Sequence, residues 1–268
     1  MEPRIIHRPG VGTTAGVLQK QELEFKRLFI DQPVLIVVER GSKALRWAQG
    51  EYLIRAGEAI AIAGGQTVDI INRPAADGSY RAFWLVWDAA LIAAHAQAHP
   101  APPVIRHALP LHGLTGEFMA AFQRAVSAVE DEAMPAEIAR HRAGEMLLWI
   151  GAQGGKFAPL ETLTVGLKVR RLIGSDLAGE WSAAAIASTL AMSEATLRRR
   201  LAEEDTSLSE ILLDARMSFA LNLLQCSAQP VTQIAYHVGY QSPSHFAVRF
   251  RQRFGFSPSA IRQGAQRA

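Results

Sequence analysis

Residues 231–262 read VTQIAYHVGYQSPSHFAVRFRQRFGFSPSAIR, and a looser copy of the same pattern lies at 183–201, AAAIASTLAMSEATLRRRL. In the first copy Ile186–Ala187 precede Ser193, then Leu197, Arg200 and Leu201; in the second Ile234–Ala235 precede Ser242, then Phe246, Arg249 and Phe250. Counted from each serine, apolar residues fall at +4 and +8 and an arginine at +7. Four residues are close to one helical turn, so the apolar pair points one way and packs on the preceding helix, leaving the opposite face free. A serine hydroxyl accepts a hydrogen bond from the N–H groups that open the next helix. Glu194 follows the first serine, and Pro243 takes the first helical position after the second, where a missing N–H costs nothing. Each copy therefore predicts a short helix, a tight turn and a serine-capped second helix.

The free face of the first copy carries Ala195, Arg198 and Arg199; that of the second offers Ser244, His245, Val248 and Arg249, with Arg251 and Arg253 flanking. A small residue followed by paired arginines suits entry into a major groove, where arginine forks onto guanine or holds a phosphate. Between the copies, Ser207 to Cys226 (SLSEILLDARMSFALNLLQC) reads as one long helix that fixes their spacing, so that one chain reads two groove segments about 34–36 Å apart. Charge supports a polyanion partner. Residues 1–160 hold 16 Lys+Arg and 16 Asp+Glu, whereas 161–268 hold 12 and 9; from 215 onward there are six arginines and no acidic residue. Arginines interleaved with Phe246, Phe250 and Phe254 at helical spacing do not read as a loose basic tail, because the rings need a core.

Ile234–Ala235, Gly239, Tyr240, Ser242, Phe246, Phe250, Phe254–Gly255, Ser257–Pro258 and Arg262 together resemble the DNA-binding domain of the AraC/XylS family of bacterial transcription regulators. The first copy is similar over Trp181, Ala187, Ser193, Leu197, Arg216 and Ala220, and the likeness runs from about 163 to 263. The resemblance implies Ala195, Arg198, Arg199, Ser244 and His245 as base-edge readers and Arg251 as a phosphate contact. Arg200 and Arg249 flank the packing stripe and fit phosphate better than bases, and His245 reads equally as a solvated residue. Arg216 is expected in a structural ion pair. Two departures stand out. Asp205 replaces the glycine usual in the turn after the first recognition helix, and Val248 stands where an arginine is frequent. The family also implies double-stranded promoter DNA and RNA polymerase as partners, with activation its commoner output.

The first half reads as strands: PVLIVVERG, KALRWAQG, EYLIRAG, EAIAIAGG, TVDIINRP and YRAFWLVW are short β-branched or aromatic runs closed by turn residues. They predict a small antiparallel barrel or sandwich over about 15–92, cupin-like by resemblance. Two helices follow, one striped by Leu114, Phe118, Ala121, Phe122, Ala125 and Val129, the other from about Pro135 to Ile150; they either close the barrel mouth or pair with a copy of themselves. The expected class is α+β: a cupin-like sensing or dimerisation domain at 1–150, a Gly-rich linker at 151–162, and an all-α DNA-binding domain at 163–268 with two helix-turn-helix units joined by the long helix. Two readings of the N-terminal domain stay open. It is a sensor holding a small-molecule effector, with Arg46, Trp47, Tyr52 and Trp87 as lining and Arg46 pairing an anion, or a ligand-free module for homodimerisation or protein docking. Alternation sets Trp84 on the opposite strand face from Phe83, Leu85 and Trp87, so not all of these rings face inward.

Enzyme readings find little support. No histidine lies between His7 and His95, so the barrel lacks metal ligands; His95 and His99 stand i, i+4 with no carboxylate beside them. No Gly-rich phosphate loop opens a helix. A DNA-targeted enzyme using Cys226, the single cysteine, meets a thiol on the apolar end of the long helix, where burial and inertness are the default. No catalytic residue, metal or cofactor is expected. The single cysteine, the absence of a leader-like start and of an 18-residue apolar run predict a cytoplasmic protein off the membrane.

Overall fold

A computed structural model describes residues 5–47, 50–159 and 164–261. The chain forms two compact units, one built on 1–160, the other on 161–224 and 228–263. The first unit contains β1 (Ile6–Arg8), β2 (Gly12–Gln19), β3 (Leu23–Ile30), β4 (Val34–Arg40), β5 (Ser42–Trp47), β6 (Gly50–Arg55), β7 (Ala59–Ile62), β8 (Gln66–Arg73) and β9 (Tyr80–Trp87). These are followed by α1 (Ala89–Ala98), β10 (Ala108–Leu111), α2 (Gly116–Glu130) and α3 (Ala136–Ala152). Two antiparallel sheets result, ordered β1-β2-β9-β4-β7-β10 and β3-β8-β5-β6. The six sequence-read strands are β4 to β9. The strands before them escape a periodicity reading: β2 is interrupted by Gly16, where a Cβ would press on the Phe83 ring at 3.0 Å, and β3 is broken by a bulge at Lys26–Arg27.

Alternation decides both faces of the larger sheet. Leu35, Val37, Ala59, Ala61, Leu85 and Trp87 point outward onto α2 and α3 and form one core with Phe118, Phe122, Met146 and Ile150. The two helices thus cover the outer face of that sheet and do not close a barrel mouth. Arg8 ties β1 to the α2–α3 connection, its guanidinium donating to the carbonyls of Ala128, Asp131 and Met134. The opposite face, with Ile36, Val38, Ile60 and Ile62, turns to the smaller sheet. The expected linker begins later than the composition implied. Phe157 is buried against Trp87, and Lys156 hydrogen-bonds to Pro103 and to the carbonyls of His99 and Pro100, so residues up to 157 are held by the first unit. Positions 160–162 of that linker lie outside the described residues.

The second unit is all helical: α4 (Val165–Ser175), α5 (Ala183–Thr189), α6 (Glu194–Glu203), α7 (Leu208–Cys226), α8 (Val231–His237) and α9 (Pro243–Phe254). Helices α5–α6 and α8–α9 are the two copies, and α7 is the long helix between them. Cys226, at its end, is buried and in no disulfide. Among the described residues no helix is long and apolar enough to cross a membrane.

Candidate nucleic-acid interface

Both second helices start as their sequences require. The Ser193 hydroxyl accepts from Thr196 N–H at 3.1 Å and the Ser242 hydroxyl from His245 N–H at 3.3 Å, each meeting one of the unpaired donors of a helix start. The +4 and +8 residues are inside: Leu197 0%, Leu201 2%, Phe246 0% and Phe250 0% exposed. Ala195, Arg198 and Arg199 on α6, and Ser244, His245, Val248 and Arg249 on α9, are exposed, as are Arg200 and Arg251. Arg198 and Arg199 are loosely held on their own helix by Glu194 at 3.6 Å and Glu203 at 3.4 Å. Such exposed i, i+4 pairs contribute about 0.3–0.5 kcal/mol, so both guanidinium groups are available to a stronger anion.

The turns of the two copies are built alike. After each first helix the fifth residue from the isoleucine is left-handed, Ala191 at φ 53° and Gly239 at φ 79°. The next N–H then returns to the alanine carbonyl, Met192 to Ala187 and Tyr240 to Ala235, each at 2.9 Å. The first copy reaches its serine one residue sooner, so Arg199 and Val248, each six residues past the serine, occupy matching places on α6 and α9. Val248 is 55% exposed, unusual for a branched aliphatic side chain on a packed helix.

Residues between the copies hold them. Asp214 on α7 accepts from Arg170 of α4 at 2.6 Å and from Arg253 of α9 at 2.6 and 3.0 Å. These arginine side chains are 10% and 16% exposed. Arg253, expected beside the groove-facing residues, instead ties α9 to α7 and, through Asp214, to α4. Arg216, expected in an ion pair, donates to the carbonyls of Leu177 (2.9 Å) and Gly179 (3.1 Å) and fills the space a Cβ on Gly239 would take. Asp205 adopts the left-handed backbone at φ 52°, as a short polar side chain tolerates. Its neighbour Glu204 caps α4, accepting from Val165 N–H at 2.8 Å and Gly166 N–H at 3.0 Å. The late Arg262 lies outside the described residues.

The four residues expected to line an effector pocket do not converge. Arg46 is on the outer face of the smaller sheet, paired with Glu51 at 2.9 Å. Trp47 and Tyr52 share its inner face, their rings 4.9 Å apart. Trp87 belongs to the helix-covered face of the other sheet, its indole N–H bonded to Ala143. The cause is the period-2 alternation that separates neighbours 46 and 47. A groove of about 680 Å³ lies instead in the second unit, between Trp181, Arg216, Tyr236 and Tyr240.

Residues 186–264 match a family model described as a helix-turn-helix domain. Over 96 residues the chain is 43% identical to the transcriptional regulator SirC of Salmonella typhimurium, covering 36% of this chain and 32% of that one. Over 138 residues it is 36% identical to the HTH-type transcriptional regulator GadX of Escherichia coli, covering 49% and 50%. The match thus spans between a third and a half of these relatives. A crystal structure of an apo ToxT point variant from Vibrio cholerae shares the fold along 97% of this chain and 99% of its own, with a TM-score of 0.72 at 16% identity. A wild-type ToxT structure with an unsaturated fatty acid bound gives 0.68, again at 16% identity, over 95% of both chains. Behind a β unit of ToxT-like fold, the C-terminal part of the chain is thus an AraC-type helix-turn-helix domain.

Proposed function

We propose that this protein is a sequence-specific transcription regulator whose α6 and α9 enter successive major-groove segments of double-stranded promoter DNA. The observation that carries the reading is the pair of serine-capped helices whose apolar stripes are fully buried while arginine-bearing faces stay open. Arg198 and Arg199 fork onto guanine, Ala195 allows close approach, and Ser244 and His245 read base edges from α9. Val248, at the place Arg199 holds on α6, meets a thymine methyl, an apolar contact that arginine does not supply. Arg200, Arg249 and Arg251 hold phosphates. The protein works on the chromosome, in the cytoplasm, as an activator in contact with RNA polymerase and as a homodimer. Its N-terminal unit controls it by binding a small effector, a reading supported by the ToxT fold with a fatty acid bound.

Selection of bound fragments from random duplex DNA by the purified full chain tests this. Recovery of one motif of two half-sites about one helical turn apart is expected. Recovery of unrelated sequences, bound no better than a scrambled duplex at physiological salt, would overturn it.

A further inference from the structure

The two groove-facing helices differ in chemistry place by place when each is counted from its serine cap. At +2, +5 and +6, α6 presents Ala195, Arg198 and Arg199, whereas α9 presents Ser244, Ala247 and Val248. At +7 the two agree, with Arg200 and Arg249. All of these are exposed except Ala247, which is half-buried. The shared cation thus flanks the packing stripe, and the difference between the helices falls where bases are read. Arg253 cannot supply the missing guanidinium on α9, because Asp214 of α7 holds it at 2.6 and 3.0 Å.

Base edges in the major groove offer few matches to the α9 set. Guanine shows two acceptors that a guanidinium fork spans, and adenine an acceptor and a donor that a carboxamide spans. The +2, +5 and +6 places of α9 hold neither group, so a two-bond contact from them is closed to both purines. What they hold is two adjacent aliphatic side chains, with Val248 55% exposed. Valine in a helix keeps essentially one rotamer, so pressing it against an apolar surface costs little side-chain entropy. Among the four bases the C5 methyl of thymine is the apolar group that the major groove displays. Cytosine gains the same methyl at the same carbon when it is 5-methylated.

We propose that the operator is directional in its chemistry, with guanine under α6 and a 5-methylpyrimidine under α9, where Val248 discriminates by the methyl group itself. The chain therefore tells thymine from uracil, and 5-methylcytosine from cytosine, at one step of its site. This inference rests on the DNA reading and gives its second half-site a substrate class. Its test uses the full chain and the duplex recovered by selection, with each thymine replaced in turn by deoxyuridine. Deoxyuridine keeps the pairing and the O4 acceptor and lacks only the methyl. One such replacement should weaken binding about fourfold, the value of one methyl group taken from water. At the same step 5-methylcytosine should bind more tightly than cytosine by about the same factor. Val248→Ala should bind the thymine and uracil duplexes alike, and Arg199→Ala should keep the difference, which places it under α9. Val248→Arg should move the preference at that step to guanine. Equal affinity of the native chain for every uracil duplex would overturn this proposal and leave the DNA reading standing. So would an undiminished uracil penalty in Val248→Ala, or an unchanged preference in Val248→Arg. Recovery of no specific duplex would overturn both.

Discussion

At Lys43 the fold places a cation where water cannot reach it. The sequence carried a faint signal, since strand alternation puts Lys43 on the same inward face as Leu45, but solvated lysines at strand ends look the same. Its proton affinity is depressed in the folded chain and ordinary, near 10.5, in the unfolded one. The unfolded state therefore binds the proton more tightly between about 7 and 10.5, and stability rises with pH across that window. Urea unfolding at pH 7, 8 and 9 should show native stability rising relative to Lys43→Met, by at most about 1.4 kcal/mol per pH unit. Parallel pH profiles for the two chains would contradict the burial of charge. Ala191 offers the converse case, a residue with a Cβ in a left-handed backbone. Ala191→Gly removes that strain and should stabilise the chain by about 1 kcal/mol, read from the same denaturation. Among the groove-facing residues, Arg199→Ala should cost about 1–3 kcal/mol of specific DNA binding and relax preference at one base step. An unchanged ratio between selected and scrambled duplexes would remove Arg199 from the readers.

Elements were legible to the extent that their signals are local. Serine caps, the +4 and +8 stripes and Pro243 defined α6 and α9, and the alternating runs defined β4 to β9. The interrupted strands β2 and β3 were not, because a glycine or a bulge breaks the period while partners across the ladder hold the strand. The role of α7 was legible only as a spacer. Its chemistry is a single carboxylate shared by Arg170 and Arg253, which come from helices far apart in sequence and carry no mark separating them from solvent-facing arginines. Asp214→Asn removes a shared carboxylate from two nearly buried guanidinium groups and should cost about 2–3 kcal/mol of stability, the partial exposure tempering the penalty of a fully buried pair. Under the proposed function it should also loosen the half-site spacing that the chain demands. A variant as stable as the native chain would mean Asp214 holds nothing.

Across the whole molecule, charge is divided as the two units are: balanced in the first 160 residues, positive after them. On the proposed function, phosphate contacts make affinity fall steeply with salt. Arg251→Ala should weaken binding to every duplex alike and lower the slope of log affinity against log salt by about 1. A loss confined to one base step would contradict a phosphate role. The duplicated helix-turn-helix pattern was readable without coordinates because helix starts, stripes and open faces depend on neighbours three or four residues away. What only the tertiary structure decided is what alternation and long separation conceal. Arg46, Trp47, Tyr52 and Trp87 scatter over three sheet faces, α2 and α3 lie on the outside of the larger sheet, and Phe157 draws the expected linker into a core. The same packing closes Gln19, Lys43, Asn72 and Tyr80 into one buried cluster, because pairing within and across the two sheets brings together residues 29 and 53 positions apart that no local pattern connects.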